Sequence, residues 1–389
     1  MKNKCNTVIN LIITMLASII PILLIYTLIH NIKNTGIIER LLDFDIRQQI
    51  LTTYTLRGVN PYQIKTFKGL ENVPDEFSTA PWSLFINNIF YPGYMTRYNA
   101  AKYFLIVSII VLTITYLIIF VKLKNTFNKN TVMLMALIIV SPNILTSIAD
   151  GNSSAIINCL IVLIILLHKE NPIISGILIG LSMTKPQTTL LIILIMLLEK
   201  NFIPVITGAI VDICGWIATS ILLRTEPITL LIQFMHNDVG NSEQSFYGIF
   251  SFLFKYGISR NTVLLLSAIL GIVLTLIGYN CFKSINIENK YIHECIIYTP
   301  AILCTQFWTY MWNNDKFMLA IPIIAYLFLM FKTNRKRYII LICILNSTLF
   351  IYALVNGLFY IKYSISVLAI IFIYFDFILN TEKRIRFAK

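Results

Sequence analysis

Twelve apolar runs, most of them separated by only a few polar residues, fill the chain from residue 8 to residue 379. A helix crosses a bilayer core of about 30 Å with about 20 apolar residues. The runs fall at 8–29, 100–121, 131–148, 153–167, 173–184, 187–199, 203–223, 261–282, 295–309, 317–331, 338–356 and 363–379. Only 31–99 and 224–258 leave room for structure outside a membrane. The pattern predicts an all-α integral membrane protein of about 10–12 transmembrane helices, one polytopic domain over 1–389. Four runs (153–167, 173–184, 187–199 and 295–309) are short for a full span and read as broken, tilted or partly inserted helices, which are tolerated where they line a cavity enclosed by protein.

Composition narrows the function. The chain is 57% apolar and only 13% charged, with a net charge of +13. That excess invites a nucleic-acid reading, but its distribution opposes one. With the N-terminus inside, 17 of the 31 basic residues fall in short inner connections, among them Lys122, Lys124, Lys169, Lys200, Lys283 and Lys290. This is the bias that orients membrane proteins. Both termini are therefore expected to be cytoplasmic, in a bacterial plasma membrane, with 31–99 and 224–258 as outer loops. The first run follows Met1-Lys2-Asn3-Lys4 and reads as an anchored helix, since no small-residue cleavage site follows it. The seven cysteines show no C-x-x-C pair and the four histidines are scattered, so neither a disulfide framework nor a metal centre is indicated.

The first outer loop is rich in polar and aromatic groups. Asp43 and Asp45, near Arg47 and Arg57, are candidate general bases toward a hydroxyl, and equally suit an ordinary solvated loop. Ile46, Ile50, Leu51 and Tyr54 have helical spacing, which predicts an amphipathic interfacial helix over 46–56. A second such piece is expected over 82–91. Between them, Gly58-Val59-Asn60-Pro61-Tyr62 reads as a turn.

Two polar breaks interrupt apolar runs without room for a loop: Asp150-Gly151-Asn152 and Lys185-Pro186-Gln187. Charged residues at membrane depth are functional candidates. Lys185 precedes a helix N-terminus, and the two together suit a phosphate; the bland alternative is a tight turn whose lysine snorkels to lipid phosphates. Asp212 lies inside 203–223, facing the bundle interior or a neighbour. In the second outer loop His236, Gln244 and Ser245 stand in a stretch polar enough to hold a sugar. Trp312 and Asp315 lie in an outer segment whose tryptophans and amides suit a carbohydrate or an aromatic belt.

Taken in order, these elements resemble glycosyltransferase family 87, polyprenyl-phosphate-dependent enzymes of the GT-C fold. The resemblance rests on Asp43-Phe44 after the first run, the Gly58–Tyr62 turn, Pro81-Trp82, Lys185-Pro186-Gln187 after the lead Gly176–Leu181, and Gln244-Ser245 before Gly248. Two departures stand out. The family's Gly-Gln-x-Asn break reads Gly151-Asn152-Ser153-Ser154, and Glu243 replaces an Asn. The resemblance implies transfer of a sugar, usually mannose, from a polyprenyl-phosphate carrier to an acceptor hydroxyl of a glycan or glycolipid, with inversion at the anomeric carbon. It implies a base at Asp43 or Asp45 and a cationic phosphate site, for which Lys185, Gln187, Arg57 and His236 are the candidates. Sugar or acceptor contacts are expected at Asn60, Tyr62, Asp150, Asn152, Gln244, Ser245, Trp312 and Asp315. No cofactor, metal or nucleic-acid partner is expected; the bilayer is. Alternatives are a secondary transporter, which predicts inverted repeats and short outer loops, and a lipid-linked glycan ligase or polymerase with a large late outer loop.

Overall fold

A computed structural model describes residues 46–66, 80–124, 126–127, 147–148, 151–236, 258–285, 287–308, 318–333 and 370–379. Among these residues the regular structure is helical throughout, with no strand. In chain order the helices are α1 (Ile46–Leu56), α2 (Pro81–Ile86), α3 (Arg97–Leu123), α4 (Ser154–Leu167), α5 (Pro172–Ser182), α6 (Pro186–Leu198), α7 (Phe202–Leu223), α8 (Pro227–His236), α9 (Arg260–Phe282), α10 (Lys290–Trp308), α11 (Ala320–Thr333) and α12 (Ile370–Leu379). Two 3-10 segments, Pro61–Thr66 and Asn87–Ile89, follow α1 and α2. Prolines open α2, α5, α6 and α8, where a missing N–H leaves no bond unmade. Ser259 caps α9 by accepting from the Thr262 N–H at 3.3 Å.

The bundle has a dry centre and an apolar outside. All fourteen residues of α4 are buried. Their neighbours in the core include Ile296, Tyr298 and Leu303 of α10 and Ile321, Ile324 and Tyr326 of α11. The three longest apolar helices, α3, α7 and α9, form part of the rim, and only 22%, 17% and 28% of their spanning windows are buried. Outward they present Ile106 and Leu117, Ile210 and Ile217, and Leu265 and Ile269. Water does not tolerate apolar surfaces of this extent. Lipid does, so the chain is a polytopic helical membrane protein.

The expected runs recur closely. The segments 153–167, 187–199 and 203–223 correspond to α4, α6 and α7, each within one residue. The interfacial helix foreseen over 46–56 is α1. The piece foreseen over 82–91 is α2 with its 3-10 continuation. The run placed at 295–309 begins earlier, because α10 starts at Lys290 and carries Glu294 one turn inside it. The runs 8–29 and 338–356, and all but the last two residues of 131–148, lie outside the described residues.

Helix length shapes the molecule around the breaks. α5 has 11 residues and α6 has 13. At 1.5 Å per residue they span about 17 and 20 Å, well short of the bilayer core, whereas the 22 residues of α7 span about 33 Å. The turn between α5 and α6 therefore stops below the end of α7. α2 lies against α7 at Gly215, about 12 Å below the end of that helix by the same rise. A Cβ on Gly215 would stand 2.5 Å from the Trp82 carbonyl oxygen, so glycine is what lets α2 sink to this depth.

Candidate functional site

The two polar breaks meet. Lys185 is the residue before α6, with Pro186 in its first turn. Its ammonium group donates to Asn152 Oδ1 at 3.3 Å and to Ser154 Oγ. Asn152 Oδ1 also accepts from the Ser154 backbone N–H at 2.9 Å and from Ser154 Oγ at 2.6 Å, which fixes the start of α4. Gly151 takes a left-handed backbone with φ +65°, a conformation that glycine adopts without strain. Its carbonyl accepts from the Tyr91 hydroxyl at 2.6 Å.

The segment from α1 to the start of α3 holds both breaks in place. Tyr91 stacks on Phe104 with ring centroids 5.2 Å apart, and the Tyr91 carbonyl accepts from Thr52 Oγ1 of α1 at 2.7 Å. From α2, Trp82 Nε1 and Ser83 Oγ both donate to the Met183 carbonyl, at 3.1 and 3.2 Å, two residues before Lys185. Helix α8 joins them. Trp82 and Tyr62 each meet Phe234 of α8 edge-on, with centroids 6.4 and 6.0 Å apart. Asn60 is buried. Its Nδ2 donates to Gln233 Oε1 at 2.8 Å and its Oδ1 accepts from the Tyr62 N–H at 3.0 Å, so it ties the two loops together. Burial among these groups pushes the Tyr62 phenol well above its usual range.

Contacts through Trp82 thus link the turn that carries Lys185, and with it Asn152, to Phe234, Tyr62 and Asn60, at the recess that the short α5 and α6 leave below the end of α7. Gln187 is half-buried in the first turn of α6. Arg57 is exposed just past α1, beside the Gly58 turn, where φ is +74°. His236 ends α8. Asp43, Asp45, Asp150, Gln244, Ser245, Trp312 and Asp315 lie outside the described residues. Asp212 is half-buried in α7, its Oδ1 enclosed and without a hydrogen-bond partner among the described residues.

Residues of this arrangement that the sequence does not single out include Ser154, Tyr91, Gln233 and Phe234. A signal for Ser154 is present, because it stands in the polar stretch Asp150–Ser154 of the first break, from which Asn152 and Ser154 meet Lys185. Tyr91 gave none beyond its place in an aromatic interfacial helix.

Electrostatically the recess offers the Lys185 ammonium group, the positive end of α6, and hydroxyl and amide groups. A cation beside a helix N-terminus binds anions. Leu190, in the second turn of α6, is exposed on the outer surface, as is Ile177 of α5, so lipid reaches close to Lys185.

Short central helices and an apolar outward-facing rim define a polytopic helical membrane protein. A family model described as glycosyltransferase family 87 matches residues 85–283, just over half of the 389 residues and the stretch from α2 to α9. The chain belongs to glycosyltransferase family 87 and is an enzyme that transfers sugar. No curated protein and no solved structure matches the chain.

Proposed function

We propose that the enzyme transfers a sugar, mannose first among the candidates, from a polyprenyl-phosphate carrier to an acceptor hydroxyl on the outer face of the membrane. The observation that carries this reading is the contact of Lys185 with the Asn152–Ser154 break, next to exposed apolar helix surface. A lipid-borne phosphate reaches such a place from the bilayer with its chain still in lipid.

In the reaction, the acceptor oxygen attacks the anomeric carbon. The bond from that carbon to the phosphate oxygen breaks from the opposite side, which inverts the configuration. The acceptor proton passes to Asp43 or Asp45, which directly precede α1 in sequence. The phosphate gains charge as the bond breaks, and Lys185 with the start of α6 stabilises it where that charge develops. Gln187 adds a neutral donor, with Arg57 and His236 as further candidates. The polar groups of Asn60, Tyr62, Asp150, Asn152, Gln244, Ser245, Trp312 and Asp315 are proposed to hold sugar or acceptor.

The test is transfer of labelled mannose from polyprenyl-phosphate mannose by the purified chain in detergent. Lys185→Ala should lower turnover about 10²-fold or more, with Lys185→Arg recovering part of the loss. Asp43→Asn or Asp45→Asn should lower it about 10²–10⁴-fold. Full activity of Lys185→Ala with unchanged donor affinity would leave Lys185 a snorkelling residue. Absence of transfer by the wild type from any polyprenyl-phosphate sugar would overturn the donor class.

A further inference from the structure

At the opposite ends of α4, α6 and α10 from the recess, three side chains converge. His168 follows α4, Glu199 follows α6, and Glu294 lies one turn into α10. The His168 side chain is 1% exposed. Its Nδ1 lies 3.0 Å from the Ile165 carbonyl, which can only accept, so Nδ1 carries a proton. In a neutral ring Nε2 then presents a lone pair. It points among two carboxylates, with Glu294 Oε2 at 3.2 Å and Glu199 Oε2 at 3.6 Å. Neither contact has hydrogen-bond geometry. His168 Nε2, Glu199 Oε2 and Glu294 Oε2 are all sealed from water without a hydrogen-bond partner among the described residues.

The remaining oxygens are occupied. Glu294 Oε1 pairs with Lys169 at 2.5 Å and lies 3.5 Å from His293 Nδ1; Glu199 Oε1 lies 3.5 Å from Lys169. Lys169 therefore takes one oxygen of each carboxylate and leaves the other aimed at His168. Tyr298 meets the His168 ring edge-on at 5.4 Å, and its buried hydroxyl also has no hydrogen-bond partner among the described residues.

We propose that His168, Glu199 and Glu294 bind one divalent metal ion, with zinc the best match, that fastens together the ends of α4, α6 and α10. The three ligand atoms lie within 4.8 Å of one another. One imidazole nitrogen with two carboxylate oxygens is a donor set that zinc accepts. Around a tetrahedral zinc with bonds of about 2.0–2.1 Å, ligand atoms stand about 3.3 Å apart. The observed 3.2 and 3.6 Å lie close to that value. Metal-bound histidines are held by a bond from the second ring nitrogen, as His168 is held by Ile165. Charge points the same way. With a neutral ring, two carboxylates against Lys169 leave one uncompensated negative charge in a buried place. Positions 168, 199 and 294 follow no ligand spacing, so the sequence pattern carries no sign of this site.

A proton is the rival occupant. Burial opposes charge on the ring, but Glu199 and Glu294 outweigh it and hold the His168 pKa up at about 9. The experiment separates the two. The full chain, purified in detergent and stripped with EDTA, is titrated with zinc chloride against a chromophoric chelator and then desalted for elemental analysis. One equivalent of zinc should remain, with zinc-edge X-ray absorption showing nitrogen and oxygen ligands only. His168→Gln and Glu294→Gln, checked for an unchanged elution profile, should bind at least about tenfold more weakly. Wild-type protein that retains no zinc, a sulfur ligand in the absorption spectrum, or a folded His168→Gln that binds as tightly as wild type would each overturn the site and leave an imidazolium–carboxylate cluster. None of these readouts uses sugar transfer, so the result stands apart from the proposed donor.

Discussion

At membrane depth an ammonium group needs polar company, and Lys185 finds it in the amide of Asn152 and the hydroxyl of Ser154. These partners orient the lysine without adding a negative charge of their own, and that makes position 152 a sensitive test of the proposed phosphate site. Asn152→Asp places a carboxylate where the amide oxygen now stands. The new ion pair competes with the donor phosphate, so the donor KM should rise about tenfold while the protein stays folded. Asn152→Gln keeps an uncharged oxygen and should remain active. Equal donor KM values for wild type and Asn152→Asp would separate Lys185 from phosphate binding. The sequence reveals each half of this contact but not its closure. Lys185 and Asn152 are visible as polar residues interrupting apolar runs, because burying such groups is unfavourable enough to demand a reason. That they share a hydrogen bond depends on α4 and α5 lying side by side, which no local pattern encodes. Asn60 shows the same limit, since its turn is legible from Gly58 and Pro61 but its bond to Gln233 spans 173 positions.

Helices α5 and α7 approach closely because small residues line the contact. Without a hydrophobic drive between helices in lipid, close packing carries the association. A Cβ on Gly180 would stand 2.5 Å from Val211 Cβ, and one on Gly176 would stand 2.4 Å from Thr207 Cβ. Neither Cβ is the free end of a flexible side chain, so the helices must separate to admit a methyl group. Gly180→Ala should therefore destabilise the protein by about 1–3 kcal/mol, read as a lower thermal midpoint in detergent. Adding Val211→Gly removes both obstructing carbons, Cβ and Cγ1, so the double variant should lose less than the sum of the two single losses. Additive losses would mean that the contact with Val211 is not the cause. The Gly-rich lead before Lys185 was legible in sequence, as were the ends of α4, α6 and α7, because polar residues end the apolar runs there. The start of α10 was not. Lys290, His293 and Glu294 depress the local hydropathy below that of a span. Yet they are helical, because Glu294 pairs with Lys169 and Lys290 pairs with Glu170. Glu170, bonded by Lys122, Lys290 and Tyr291, is held down at about 2. Charge that is satisfied by a partner in the fold looks, in one dimension, like the edge of a membrane.

Taken whole, the molecule has two unlike ends. One carries the recess with α1, α2 and α8. The other carries the basic connections: Lys122, Lys124, Lys169, Lys200, Lys283 and Lys290. α4, α6, α7, α9 and α10 run between the two ends, so the side of the recess and the side of the lysines are a single question. The outward-facing transfer proposed above requires the lysine end to be cytoplasmic, the side that the positive-inside bias favours for it. Tyr94, three residues past Tyr91, is 75% exposed, and Lys283 is exposed at the lysine end. Neither belongs to the proposed machinery. In a background with the native cysteines replaced, Tyr94→Cys should react with a membrane-impermeant maleimide in intact cells. Lys283→Cys should react only after permeabilisation. Because the helices fix the two positions on opposite ends, the two labels must exchange roles if the orientation is reversed. Labelling of Lys283→Cys in intact cells together with protection of Tyr94→Cys would put the recess on the cytoplasmic side and remove the outward-facing transfer, while leaving the fold and the family unchanged.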